Sequence, residues 1–316
     1  MPLNSQAKRL LDMLAVAHPV DVAQLTPAKL RDDMLRLARL VGVRNVMVAA
    51  VEDRSIAAPQ GPMRIRVYSP RLPPGASSDR HPGLLYFHGG MGVSGSLESY
   101  DGLCRTLANE SGCRVISVDY RLAPEHPFPS AVDDAWFAGQ WVAQHAEELG
   151  LDRDRIAIGG DSAGGTLAAV FCQLAREHGG PQFRLQLLLC PVTDLRARSA
   201  SHRHYGSGYS VDPGVFDWAR KLYCGPEADL TDPRISPLLA ADLTNLPPAL
   251  IHTAEFDPMH DEGEAYARAL ERSGVTVRYS CHEGMIHNFY CMAGVIAQGK
   301  AAIAAVGAEL RGALAA

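Results

Sequence analysis

Ser162 stands in the pentapeptide Gly160-Asp161-Ser162-Ala163-Gly164, between an apolar run (155–160) and a stretch of small and apolar residues suited to a helix. G-x-S-x-G in a strand–turn–helix setting lifts the serine hydroxyl clear of a sheet. The outer glycines answer the tightness of the turn and the close packing of helix on strand. The Ala163 N–H faces the same space, near a helix N-terminus whose backbone dipole favours a developing negative charge. A glycine-rich turn can also bind phosphate or merely pack; the flanking strand and helix make Ser162 a nucleophile.

A serine hydroxyl needs a base at neutral pH, and the base needs an orienting carboxylate. On a sheet with this turn the chain order is Ser, then Asp or Glu, then His. The segment IHTAEFDPMHDEG (251–263) offers Glu255, Asp257, Asp261 and Glu262. Asp257 lies just past a strand end and before Pro258, where a loop aims it into the site. Asp261 and Glu262 suit the first turn of the next helix, and Glu255 is placed as a neighbour of the site. After the last apolar run, SCHEGMIHNFY (280–290) supplies His282, nearly on the strand, and His287 in the following loop. The base is assigned to His287. His18, His145 and His178 read as surface or helix positions, and His260 has no clear role.

The stretch LLYFHGGMGVSG (84–95) completes the set. A tetrahedral oxyanion takes two or three N–H donors, some from the loop after an early strand. Gly89 and Gly90 let that backbone approach a substrate closely. Met91 occupies the next position. Its main-chain N–H is still a donor, and its side chain matters only if the residue needs φ > 0, where a Cβ is costly. Gly92 is expected to take any such conformation, leaving Met91 to shape the pocket.

Elements that would hold these residues follow from periodicity. Short apolar runs at 83–88, 114–120, 155–160, 185–190, 248–254 and 275–281 alternate with helical stretches at 130–149 and 263–274, and a closing helix is expected at about 289–315. Such an alternation implies a mostly parallel sheet covered on both faces. Before it come two helical segments, 10–16 and 28–42, the second with Thr26 as N-cap, Pro27 at its first position and Gly42 as a stop. Residues 44–56 and 63–70 read as alternating strands, and 70–83 as a loop rich in proline and glycine. The segment 195–240 breaks the rhythm. The expected organisation is an α/β core (46–194 and 241–316) with a cap built from residues 1–45 and the 195–240 insertion.

Bulk properties narrow the function classes. The 316 residues carry a formal charge of −5, with 47% hydrophobic and 21% charged residues, an ordinary globular composition. No basic stripe suggests nucleic acid, and no apolar run approaches the roughly 20 residues of a membrane span. Seven scattered cysteines without CxxC pairs suggest neither zinc nor a disulfide framework. With no secretory h-region, a cytoplasmic location is expected. No metal or cofactor is called for.

HGG with the trailing Val93-x-Gly95-Ser96, DYRLAPEHPFPSAVDD (119–134), GDSAGG (160–165), DPMHDEG (257–263) and GMIHNF (284–289) occur in order. From about residue 60 onward the chain resembles the bacterial hormone-sensitive-lipase-like carboxylesterases, the branch whose nucleophile turn reads GDSAG. The resemblance implies an α/β-hydrolase fold with a helical cap, and often a homodimer, for which association through the last strand and closing helix is expected. It also implies a Ser162–His287–Asp257 triad, with oxyanion donors in Gly89, Gly90, Met91 and Ala163. In the family Arg121, Pro124 and Glu125 brace the loops beneath the site, and Asp119 is not catalytic. The departure is at Met91-Gly92, where the family has a third glycine and then an aromatic. By analogy the substrates are carboxylic esters with acyl chains of about two to eight carbons. The cap aromatics Tyr205, Tyr209, Phe216 and Trp218 are candidates for a pocket wall. A metabolite deacetylase or amide hydrolase, and a non-catalytic small-molecule binding protein, are the alternatives.

Overall fold

A computed structural model describes residues 1–17, 21–72 and 80–315. His18 and residues 73–79 of the 70–83 loop lie outside the described residues. Helices α1 (Ser5–Ala17) and α2 (Pro27–Val41) come first. The Thr26 hydroxyl accepts the Lys29 N–H at 3.2 Å and Pro27 opens α2, as its capping signature predicts.

Eight strands form one sheet: β1 (Ala50–Ala58), β2 (Gly61–Ser69), β3 (His81–Phe87), β4 (Arg114–Val118), β5 (Leu151–Asp161), β6 (Leu185–Leu189), β7 (Ala249–Phe256) and β8 (Val277–Ile286). Their spatial order is β1-β2-β4-β3-β5-β6-β7-β8. The β1–β2 and β2–β4 pairings are antiparallel, and all others are parallel. The long connections of the parallel part carry α3 (Asp101–Ser111), α4 (Ser130–Gln144), α5 (Ala163–His178), α6 (Ala200–Tyr205), α7 (Pro213–Cys224) and α8 (His260–Arg272), and α9 (Ala297–Ala313) closes the chain. The connection between β6 and β7 is where α6 and α7 interrupt the alternation.

Strand alternation decides which residues reach which layer. Leu85 and Phe87 of β3 join the apolar cluster under α4 and α5, while Leu84 and Tyr86 join the one under α3 and α9. Both faces of the central strands are therefore buried, which is why their sequences read as unbroken apolar runs. Ala7 and Leu10 of α1 pack in the α3–α9 cluster. Leu30 of α2 packs instead with Ala219 and Trp218 of α7, over Val93.

Two helices differ from expectation. The closing helix starts at Ala297 rather than near 289. Asn288 takes a left-handed φ of 52°, Phe289–Met292 makes a single 3₁₀ turn, and Gly294 presses against the end of α2, donating its N–H to Val41 at 2.8 Å. That close approach breaks the helix before it begins. Helix α3 had no counterpart in the periodicity reading, yet it buries Leu103, Cys104, Leu107 and Ala108 and stops at Gly112 with φ 73°. No helix among the described residues is long and apolar enough to cross a membrane.

Candidate active site

Three strand ends deliver three side chains. Ser162 follows β5 at once and precedes α5, with φ 52° and ψ −121°, a conformation that non-glycine residues rarely adopt. The sharp turn is possible because Gly164 has no side chain: a Cβ there would sit 1.9 Å from the Phe87 carbonyl oxygen. Asp257 follows the end of β7, and His287 follows the end of β8. The Ser162 hydroxyl lies 3.0 Å from His287 Nε2, and His287 Nδ1 lies 2.8 Å from Asp257 Oδ2. Asp257 Oδ1 accepts the Met259 N–H at 2.9 Å, which fixes the carboxylate. All three residues are buried.

The electrostatics suit a base. Burial alone would lower the His287 pKa, but the charge and hydrogen bond of Asp257, helped by Asp161 and Glu262, outweigh it and raise it above the ordinary histidine value. Cys190, just past β6, has its sulfur within 4.8 Å of the reacting atoms of Asp257 and His287. Burial pushes that thiol well up, so it faces Asp257 as a neutral S–H.

The loop after β3 departs from expectation at two residues. Gly89 donates its N–H to Asp161 Oδ1 at 3.0 Å, so it is not free to meet an oxyanion. The N–H groups of Gly90, Met91 and Ala163 have no acceptor among the described residues, and Met91 and Ala163 line the same cleft. Met91 itself has φ 60°, beside Gly90 at 119° and Gly92 at 70°. Gly92 thus does not spare Met91 the left-handed conformation. Both adopt it, because the chain between Gly90 and Val93 closes a tight turn in which the Val93 and Ser94 N–H groups both return to the Gly90 carbonyl.

That cleft is small and opens to solvent. Leu167, Val192, Leu195, Phe216, Tyr223 and Ile235 make its wall apolar, and Arg220, paired with Asp217 at 2.9 Å, is the charged residue of the lining. Of the four cap aromatics only Phe216 reaches it. Tyr205 and Tyr209 pack on Phe256, and Trp218 packs beside Val93.

The remaining expected residues divide plainly. Asp261 and Glu262 open α8 as their charge suggests. Glu262 is also buried, accepting the Thr193 N–H at 2.9 Å and facing His202 Nε2 at 2.8 Å. Glu255 accepts the Gly284 N–H at 2.7 Å, tying β7 to β8 away from the serine. His282 lies on β8 and stacks with His252. His145 caps α4, His178 is exposed at the end of α5, and His260 faces Cys281. Arg121 grips Asp134, and Glu125 receives both guanidinium nitrogens of Arg31 from α2. Asp119 is near Arg64, outside the triad. His88, which opens the glycine stretch, is stacked against Tyr120 and neutral, its pKa lowered to about 4 by burial.

Sequence reasoning missed Asp161, Tyr86, Tyr100 and Asn288, which meet in one buried cluster. An acidic residue between the first glycine and the serine, at the end of a strand whose second half is apolar and buried, was the available signal.

Comparison with known proteins agrees with this geometry. A family described as the alpha/beta hydrolase fold matches residues 84–291. A carboxylic ester hydrolase (LipN) of Mycobacterium tuberculosis is 44% identical over 245 residues, 76% of this chain and 64% of that protein. An arylesterase of Saccharolobus solfataricus is 38% identical over 92% of both chains. The solved structure of a hyperthermophilic esterase from the archaeon Pyrobaculum calidifontis superposes with a TM-score of 0.94 at 38% identity, covering 100% of each chain.

Proposed function

The chain belongs to the alpha/beta hydrolase fold family, and from that premise we propose that it is a serine carboxylesterase of the hormone-sensitive-lipase-like type. The observation that carries this reading is the unbroken relay from Ser162 through His287 to Asp257, at 3.0 and 2.8 Å. His287 Nε2 takes the hydroxyl proton as Ser162 Oγ attacks the ester carbonyl, and Asp257 holds the imidazolium at Nδ1. The oxyanion forms against the N–H groups of Gly90, Met91 and Ala163. His287 returns the proton to the departing alkoxide, and water repeats the sequence on the acyl-enzyme. A non-catalytic binding scaffold has no need of the complete relay.

The apolar cleft of modest volume supports short- to medium-chain esters. Turnover of p-nitrophenyl palmitate above butyrate would overturn that preference. A cap with the expected boundaries at 1–45 and 195–240 is supported by α7, whose Phe216, Arg220 and Tyr223 line the cleft, and by Leu30 of α2, which packs on α7. Within the first of these, α1 packs on the core. The outer edge of β8, the last strand of the sheet, and the adjacent α9 support association of two copies, for which light scattering at micromolar concentration is the test. Seven free thiols support a reducing compartment such as the cytoplasm.

The central test is hydrolysis of p-nitrophenyl butyrate. Wild type turns over, and Ser162→Ala loses about 10⁵- to 10⁶-fold in kcat. A wild type that neither turns over nor forms a serine adduct with a fluorophosphonate overturns the reading.

A further inference from the structure

Directly beneath the nucleophile lies a carboxylate that the triad does not use. We propose that Asp161 is a positioning residue for this reaction: it sets the oxyanion loop, the serine turn and the base loop against one another, and places a second negative charge beside His287 as the imidazolium forms. The proposal rests on the esterase reading.

Asp161 is 1% exposed, and four donors converge on it. Tyr86 of β3 and the Gly89 N–H reach Oδ1 at 2.8 and 3.0 Å. Tyr100, just before α3, and the Asn288 side-chain amide reach Oδ2, both at 2.8 Å. The Gly89 N–H donates to one oxygen and Asn288 Nδ2 to the other, an arrangement that an ionised carboxylate accepts in full. A buried charge without partners costs several kcal/mol, so its retention inside an apolar sheet calls for an explanation. The donors supply it. Gly89 starts the loop whose next two N–H groups face the oxyanion, Asn288 adjoins His287, and Asp161 itself adjoins Ser162. One rigid group therefore spans the three parts whose relative placement decides the rate, where a displacement of about 1 Å can cost about 100-fold.

The fit around this carboxylate is tight. A Cβ on Gly89 would lie 2.4 Å from Asp161 Oδ2, so the loop cannot be held at this distance with any other residue. The charges facing His287 are Asp257 after β7, Asp161 at the end of β5 and Glu262 on α8, with the neutral Cys190 thiol after β6. Those facing Asp161 are His287, the hydroxyls of Tyr86 and Tyr100, and the Gly89 N–H. Burial keeps both phenols un-ionised, far above their usual range. Burial raises the Asp161 carboxyl above its ordinary value against the opposing pull of Tyr100, Tyr86, His287 and the Gly89 N–H. The negative charge beside His287 is thus a separate contribution from the architecture, and the two can be told apart.

Asp161→Asn keeps the shape, removes the charge and leaves two of the four donors without a full acceptor. On p-nitrophenyl butyrate the expected result is a fall in kcat of about 10- to 100-fold with KM within about threefold. The acid limb of the kcat/KM profile should move to lower pH by about half a unit, because losing a neighbouring anion lowers the imidazolium pKa and keeps the base neutral further down. A purely structural role would change thermal stability and leave that limb in place. Tyr100→Phe and Asn288→Ala each remove one donor and keep the charge, so they should lower kcat several-fold with the limb unmoved. Asp161→Asn with kcat within twofold of wild type, or with a loss of kcat but an unmoved limb, overturns the proposal. If Asp161→Asn does not fold, unchanged kcat in both Tyr100→Phe and Asn288→Ala overturns it instead, and a loss in both supports it. Each comparison uses an active wild type, whose own failure would strike the esterase reading first.

Discussion

The catalytic floor, which meets the cleft at Ala163, and the roof over that cleft are held together by different physics. On the floor, Ser162, His287 and Asp257, and Gly89, Asp161 and the half-buried Asn288, are linked by short hydrogen bonds. The roof is mostly apolar contact: Phe216 of α7 packs with Val192 and Met259, and Ala219 packs with Val93 and Ala123. Directional bonds in a low-dielectric interior fix positions to fractions of an ångström, and removing one partner leaves a buried polar group unpaired. Apolar packing constrains volume more than direction and tolerates replacement at similar size. The chemistry is thus placed where geometry is stiff, and the choice of substrate where it can change. Substitutions in the floor should therefore act on kcat, and substitutions in the roof on which ester is turned over.

The largest effect expected from breaking the floor, after loss of the nucleophile itself, is at Asp257. Asp257→Asn preserves size and the Met259 contact but presents the wrong partner to His287 Nδ1. A loss of kcat of about 10⁴-fold is expected, with KM little changed and the melting temperature close to wild type. Steady-state kinetics with thermal unfolding checks it. A loss below about tenfold would mean that another carboxylate, Asp161 or Glu262, orients the base.

An intermediate effect is expected at the seam between roof and floor. Arg31 of α2 sends Nε to the Val93 carbonyl at 2.8 Å, Nη2 to the Ala123 carbonyl at 2.9 Å, and a two-nitrogen grip to Glu125. The ion pair itself is half-exposed, so its worth is about 1 kcal/mol or less, and the charge-assisted bonds to buried carbonyls matter more. Arg31 also holds the Glu125 carboxyl down at about 2. The sign is that of a depressed acid: the pair contributes above the ordinary glutamate range and is lost as pH falls toward about 2. Arg31→Ala is expected to lower stability by about 1–2 kcal/mol, and to slow turnover a few-fold by loosening Val93 behind the oxyanion loop. Urea unfolding and kinetics on one preparation test both parts. Unchanged stability would show that α2 rests on the core by apolar contact alone.

How much of this could be read from the sequence follows the same division. The floor's skeleton was legible because a tight turn, a strand end and a loop position each demand particular residue types: Gly160, Ser162 and Gly164 for the turn, Asp257 and His287 by chain order. The strands were legible because both faces are buried at their centres, so β3, β5 and β6 carry short, mostly apolar runs there. What stayed hidden depended on neighbours remote in sequence. Asp161 reads as a spacer until Tyr86, Tyr100 and Asn288 are brought to it from 75, 61 and 127 residues away. The Gly89 N–H looked free until that carboxylate was in place. The start of α9 could not be seen because Gly294 meets the end of α2, some 250 residues earlier, and nothing local in 289–296 announces the contact.

The smallest and most informative effect is at Met91, where floor and roof meet. Its backbone belongs to the oxyanion loop, and its side chain touches both small apolar clusters of the roof. Two costs oppose each other in Met91→Gly. The left-handed φ of 60° strains a residue with a Cβ by roughly 1–2 kcal/mol, which glycine relieves. Against that stand the lost packing of a half-buried side chain, about 1–2 kcal/mol, and the greater freedom of glycine in the unfolded chain, about 0.4–1 kcal/mol. The balance therefore runs from roughly level to about 2 kcal/mol less stable. The N–H survives the substitution, so kcat on p-nitrophenyl butyrate should stay within about threefold, while bulkier acyl groups gain relative to butyrate because the cleft widens. The ratio of kcat/KM for butyrate and a branched or longer ester is the readout. A fall of about 10²-fold on butyrate, the size of a lost oxyanion donor, would mean that the methionine side chain, pinned by the roof, is what aims its own N–H. In that case the roof would share in setting the chemistry, and the division between the two regions would fail at the residue that joins them.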